Sequence, residues 1–181
     1  MEFKPALEAL IARFGEHKIS YALIGGFGMG ALGIARATID IDFLILMSDM
    51  PAVHGIMLSL GYRRVYSSDN VSQYESDVKI LGGVDIIHAA RPVSVRMLKE
   101  AVHRKVFGDM EVKVLLPEDI IGLKVQAMAN DEQRAARDYA DIEEIIRVFA
   151  KTISWTKLET YFAMFDMADK LKILKSKYAK G

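Results

Sequence analysis

The eight residues Ile39–Leu46, IDIDFLIL, constrain what this 181-residue chain can fold into more than any other stretch. Asp40 and Asp42 alternate with Ile39, Ile41, Phe43 and Ile45, a period of two that predicts a strand with both carboxylates on one face and the apolar set on the other. Two carboxylates held on one face repel each other unless a cation or a basic group compensates them. Oxygen-only ligands of this kind suit magnesium or manganese. A solvated polar edge is the competing reading of an isolated D-x-D, so the surrounding sequence has to decide.

Upstream, SYALIGG reads as a short buried strand that runs into Gly25 and Gly26, and a short helix fits between them and the acidic strand. Glycine lets backbone approach a phosphate closely, and amides at a helix start can receive one; a tight turn is the alternative. The run Gly28–Gly33, GMGALG, formally satisfies G-x-G-x-x-G. A dinucleotide fold also needs a full helix after the loop and an acid at the end of the next strand. Here only about two helical turns fit before Thr38, and the acids open the strand, so nicotinamide binding is disfavoured. A third carboxylate, Asp85, lies inside the apolar strand GVDIIHA, where an unpaired acid is expensive to bury. If that strand lies beside IDIDFLI, Asp85 completes a cluster with Asp40 and Asp42; a hydrogen bond at the strand end is the other explanation.

The rest of the pattern fixes the class. Leu7, Leu10, Ile11 and Phe14 predict an amphipathic helix after Pro5 that ends near Gly15, and Pro51 opens a helix to about Leu60. YRRVYSS, VSQYESDVKI and VDIIHA predict strands, the last two turned at Gly82-Gly83. A helix is expected from about Val93 to His103, then an extended segment around MEVKVLL. Pro117, with Glu118 and Asp119, predicts a helix start whose end falls near Ala129. Tyr139, Ile142, Ile146 and Phe149 mark another helical stripe, and a final helix or pair of helices spans Trp155 to Tyr178. The expected fold is α+β (mixed α/β): a sheet core in residues 1–115 and a C-terminal helical region in residues 116–181, packed as a single compact unit.

Composition excludes several classes. With 51% apolar and 27% charged residues, burial can offset chain ordering. Charge balance, 24 basic against 24 acidic side chains, argues against a broad nucleic-acid footprint. Residues 151–181 hold seven lysines and three acids, which a solvated helix face explains and polyanion contact would also fit. No cysteine is present, which removes disulfides and thiolate chemistry and suits a reducing cytoplasm. The N-terminal residues lack the apolar core of a signal peptide, and the longest uncharged run, Ile19–Ala35, is 17 residues with five glycines, too short and too glycine-rich for a spanning helix. His17, His54, His88 and His103 show no zinc spacing and read as structural or surface groups. Tyr62, Tyr66 and Tyr74 read as packing residues that would also be able to stack a base.

Taken together, IGG, the interval to DID, and the later VDII resemble the nucleotidyltransferase superfamily that includes DNA polymerase beta. RATIDID, followed by LPEDIIGLKVQAM and RAARDYADIEEII, is more closely similar to small bacterial nucleotidyltransferases related to the AbiEii toxins; this resemblance spans about Tyr21 to Ile146. It implies a twisted mixed sheet flanked by helices and two divalent metals, Mg2+ or Mn2+. The implied reaction transfers a nucleoside monophosphate from an NTP to an acceptor hydroxyl on RNA, protein or a small molecule. In that resemblance Gly25 and Gly26 hold the triphosphate, Asp40 and Asp42 bridge the metals, and Asp85 holds the metal on the nucleophile side and helps accept the proton. Arg36 would contact a phosphate, Thr38 would orient the turn and Lys124 would meet the triphosphate. Commonplace alternatives stand beside each: an exposed arginine, a turn threonine and a lysine snorkelling from its helix. Asp138 and Asp141 would line the cleft, or else pair with Arg134 and Arg137 along their helix.

One departure stands out. Many members of the superfamily carry a serine after the double glycine, and this chain has Phe27. That motivates a second expectation: a catalytically weak or inactive nucleotide-binding or protein-interaction module of toxin–antitoxin type, with a partner protein.

Overall fold

The alternating strand patterns build one mixed sheet. In the computed structural model, which describes residues 3–78 and 81–179, the strands are β1 (Tyr21–Leu23), β2 (Asp40–Leu46), β3 (Tyr62–Ser67), β4 (Val71–Ser76), β5 (Gly83–Ala89), β6 (Val102–Val106) and β7 (Met110–Val114). Their spatial order is β3-β4-β5-β2-β1-β7-β6. β2 runs parallel to β5 and β1 parallel to β7, and the other neighbours are antiparallel. Helices α1 (Phe3–Glu16), α2 (Gly25–Ala31), α3 (Met50–Ser59) and α4 (Pro92–Glu100) belong to the same unit, Met1–Leu115. Helices α5 (Pro117–Asn130), α6 (Glu132–Phe149), α7 (Trp155–Ala163) and α8 (Ala168–Tyr178) form a second unit, Leu116–Gly181. The architecture is the mixed α/β class expected, a seven-stranded sheet with helices and a C-terminal helical region.

Period-two patterning decides which face of β2 is core. Ile41, Phe43 and Ile45 are fully buried. Phe14 of α1 meets Phe43 edge-on, with ring centroids 5.4 Å apart, and Tyr21 completes an aromatic trio at 5.6 Å and 5.7 Å. Each such pair contributes on the order of 0.5–1.5 kcal/mol beyond the area it buries. The opposite face of β2 carries Asp40 and Asp42 at its start and fully buried Leu44 farther along.

Three local expectations are corrected. Ile39 does not anchor the core: it precedes the first ladder residue and is 80% exposed. The expected helix from Val93 to His103 stops at Glu100, and Val102–Val106 is β6, paired antiparallel with β7 from Val102↔Val114 to Val106↔Met110. Val102 and Val106 are four apart, which mimics a helical stripe, and pairing with β7 overrides that local signal. GMGALG holds the short helix expected there: Gly28–Ala31 lie in α2 and Gly33 follows its C-terminal end. The strand predicted through Lys79 and Ile80 ends at Ser76; those two residues lie outside the described ones.

In the helical unit, caps set the boundaries. Asp131 accepts the amide of Gln133 at the start of α6, and Ser154 accepts that of Lys157 at the start of α7. Buried Asp119 of α5 binds α7 from two directions, accepting from the Tyr161 hydroxyl and from Lys157 Nζ at 2.9 Å. Beside this pair, Gly122 lets the helices approach, since a Cβ there would meet the Tyr161 ring at 2.8 Å. The predicted last helix is a pair, α7 and α8. Lys172, Lys175 and Lys177 pair with Asp169, Glu159 and Glu143, as a solvated charged face does; Lys180 lies outside the described residues.

Candidate functional site

The parallel register of β2 and β5 aligns Asp40 with Gly83 and Asp42 with Asp85. Adjacent parallel residues in register project to the same face, so Asp42 and Asp85 are lateral neighbours, with Asp40 two positions along on the same side. All three are half-buried. The antiparallel register of β4 with β5 continues the row by aligning Gln73 with Asp85. Gln73 Nε2 donates to Asp85 Oδ1 and Oδ2 at 3.1 Å and 3.2 Å, a neutral donor facing a carboxylate that already has an acid beside it. The sheet therefore brings together the three acids that the sequence singled out, and adds an amide that it did not.

Two glycines make the row possible. Gly25 has φ +59°, a left-handed conformation that side chains disfavour, and a Cβ there would fall 2.5 Å from Asp42 Cγ and nearer still to its Oδ2. Gly83 plays the same part for Asp40, whose Oδ1 and Cγ, the latter at 3.0 Å, occupy the space of a Cβ. Each carboxylate rests in a cradle that a methyl group would fill. Gly26 likewise admits Thr38, whose Cβ would lie 2.6 Å from a Cβ at position 26. Thr38 Oγ1 donates to the Asp40 carbonyl at 3.0 Å, tying the approach to β2. Ile24 N donates to the Asp42 carbonyl at 3.0 Å, so the double glycine emerges directly beside the acids.

Arg36 is part of the same region. Its guanidinium donates to the Ala37 carbonyl at 2.7 Å and lines, with Gly26 and Thr38, one side of a cavity of about 580 Å³. Phe27 lines it too. Its ring packs edge-on against Phe3 at 4.6 Å and faces Phe107 at 6.3 Å, so the residue after the double glycine contributes an apolar wall.

Lys124, Asp138 and Asp141 are brought together within the helical unit. Lys124 Nζ donates to Asp138 Oδ1 at 3.0 Å and to Asp141 Oδ2 at 2.6 Å, bridging α5 and α6. The expected Arg134 contact is present, with Nε 3.5 Å from Asp138 Oδ2, while Asp141 is engaged by Lys124 from the neighbouring helix. Asp138 is 2% exposed, and a buried carboxylate needs such a cation. His88, by contrast, is structural: it is buried between the Ser72 hydroxyl at 3.0 Å and the Asp69 carbonyl at 3.1 Å. Tyr62 and Tyr74 are packed inside, Tyr62 donating to the Leu81 carbonyl, whereas Tyr66 is exposed.

The donor chemistry fits a hard divalent cation, since the carboxylates of Asp40, Asp42 and Asp85 lie along one face of β2 and β5, glycines keeping room for the first two and the Gln73 amide holding the third. Among the described residues no group of three or more His, Cys, Asp or Glu side chains is placed so as to hold a metal ion. Asp40 points over Gly83, and Asp85 is bound by Gln73.

A protein family described as uncharacterised nucleotidyltransferase matches residues 3–172, nearly the whole chain. The chain belongs to this family. Solved structures agree on the fold. The crystal structure of ANT(2")-Ia in complex with adenylyl-2"-tobramycin superposes with a TM-score of 0.67 at 16% identity, covering 88% of this chain and 94% of that one. A nucleotidyltransferase structure from Thermotoga maritima gives 0.58 at 15% identity, over 77% and 93%. The lincosamide antibiotic adenylyltransferase LnuA, with lincomycin bound, gives 0.53 at 16% identity, over 78% and 95%. No curated protein gives a significant match. Among the described residues no helix is long and apolar enough to cross a membrane.

Proposed function

We propose that the protein moves a nucleoside monophosphate from an NTP to an acceptor hydroxyl at the row formed by Asp40, Asp42 and Asp85. The observation that carries this reading is the register Asp42↔Asp85, with Gly25 held open against Asp42. Asp40, Asp42 and Asp85 would hold magnesium or manganese. A divalent cation bound there supplies charge neutralisation for the phosphates and lowers the pKa of the acceptor hydroxyl. Gly25 and Gly26 let backbone approach the triphosphate, Arg36 pairs with a phosphate oxygen, and Thr38 fixes the turn that presents them. Asp85 takes the acceptor proton while Gln73 holds its carboxylate in plane. The acceptor oxygen bonds to the α-phosphorus, the bond from that phosphorus to the bridging oxygen breaks, and pyrophosphate leaves. Lys124, Asp138 and Asp141 enter the reading as the charged triad that the resemblance assigns to triphosphate and cleft.

Calorimetric titration of ATP, GTP, CTP and UTP, with and without magnesium, into wild type and Asp42→Ala tests the proposal. Saturable binding that needs magnesium and disappears in the folded variant supports it; undiminished binding or turnover by Asp42→Ala sinks it. The acceptor could be RNA, a protein hydroxyl or a small molecule, and the tobramycin adduct named for ANT(2")-Ia makes small hydroxylated molecules the first class to screen.

A second reading is favoured by Phe27, whose ring is spent on Phe3 and Phe107 and offers phosphate no hydroxyl. On it the protein is a weak or inactive nucleotide-binding module of toxin–antitoxin type in the cytoplasm, a branch supported by RATIDID and RAARDYADIEEII. NTP binding with no pyrophosphate release, alone or with a partner protein, would favour it.

A further inference from the structure

We infer that the cavity beside α2 is a nucleobase site whose outer wall is Phe107, an inference that rests on the nucleotidyl-transfer reading above. Three aromatic rings, Phe3, Phe27 and Phe107, line it together with Gly30, and Arg36 and Lys105 supply cationic groups, Lys105 with Asp109 3.6 Å away at the exposed hairpin tip. Among the described residues no carboxylate lines it. An apolar, aromatic wall with cations and no acid suits a flat ring that carries an anionic group, which is the chemistry of a nucleotide. The volume, about 580 Å³, is in the range of sites for ligands of that size.

Phe107 is the unusual member. It is 46% exposed and has φ +48°, a left-handed conformation that glycine would adopt without strain. It belongs to the three-residue tip joining β6 to β7, between Val106 and a left-handed Gly108. The left-handed φ follows from the tight β6–β7 connection, and the ring leans on Phe27 with centroids 6.3 Å apart while its exposed part lines the cavity.

Position selects the nucleotide over the acceptor. The cavity borders Gly26 and Thr38, which adjoin Asp42 and Asp40, and α2 packs on β2 and β6. Asp85 and Gln73 lie on the other side of β2, on β5 and β4. A nucleotide with its phosphates at Gly25-Gly26 places its base in this cavity, while an acceptor activated by Asp85 approaches from the β4 side.

The test compares ATP with inorganic tripolyphosphate, each with magnesium, by calorimetry on wild type, Phe107→Ala and Phe107→Tyr. Loss of one stacked ring weakens binding about 5- to 150-fold. Phe107→Ala is expected to weaken ATP to that extent while leaving tripolyphosphate unchanged, and Phe107→Tyr to restore ATP. Equal losses for both ligands, or no loss for ATP, overturn the inference, as does a variant that changes only the KM of an acceptor. ATP bound normally by Phe107→Ala overturns this inference alone, whereas wild type that binds none of ATP, GTP, CTP and UTP overturns the transfer reading with it.

Discussion

Gly25→Ala isolates the contact on which the candidate site depends. Two terms act on the variant. A left-handed conformation imposed on alanine costs roughly 1–3 kcal/mol, and φ at this position is +59°. The new methyl also meets Asp42 Cγ at 2.5 Å and Asp42 Cβ at 2.9 Å. Because Cβ is fixed by β2, rotating the carboxylate does not remove the clash, and overpacking of this sort costs roughly 1–3 kcal/mol more. The expected loss is therefore about 2–6 kcal/mol, or about 4–24 °C in Tm at the scale of about 2–4 °C per kcal/mol for a chain of this size. Gly33→Ala is the control, with φ +84° but nothing within 4 Å, so only the backbone term applies. Thermal and urea unfolding of both variants, alone and combined with Asp42→Gly, separate the terms: Asp42→Gly should rescue Gly25→Ala to the level of Gly33→Ala and do nothing for Gly33→Ala. Magnesium-dependent nucleotide binding should be lost in Gly25→Ala and kept in Gly33→Ala. Equal melting temperatures for the two glycine variants, with binding retained in both, would refute the cradle argument.

Gly83→Ala displaces only the carboxylate end of Asp40, so its stability should fall by no more than about 1–2 kcal/mol while magnesium-dependent binding drops sharply; unfolding and calorimetry on one preparation check both. Asp119→Ala removes the acceptor for Tyr161 and the counter-charge of partly buried Lys157, and should cost about 3–5 kcal/mol in urea unfolding, with Tyr161→Phe costing about 1–2. Burial pushes the Tyr62 hydroxyl up to about 12 from 10.0, and raises Tyr21 and Tyr74 as well. The raised folded pKa favours the protonated fold, so this contribution is whole below about pH 10 and falls as pH rises from 10 to 12, by about 3 kcal/mol for Tyr62 alone. Tyrosinate absorbance during alkaline titration should show these groups ionising with unfolding, and Tyr62→Phe should blunt the alkaline loss.

Much of the site was legible because strand chemistry is legible. Asp40 and Asp42 had to share a face, and Asp85 in an apolar strand needed company, both consequences of period-two geometry and desolvation. Gln73 was not visible, because a polar residue in a strand acquires a partner only when register is known, and the segment between Ser76 and Gly83 does not fix it. The Lys124 bridge depends on how α5 packs on α6, since its partners are 14 and 17 residues away. β6 was lost to its own sequence: VHRKV carries valines at helical spacing and becomes a strand only through β7. The aromatic cavity draws on Phe3, Phe27 and Phe107, which no local window contains.

The seven-residue parallel register between β2 and β5 also shapes how such a protein can diverge. Everything between those strands, α3, β3 and β4 included, leaves and returns to positions clamped by the ladder. On the proposed transfer reading, insertions and deletions there would rebuild the surface presented to an acceptor while the register of Asp42 with Asp85 stays put.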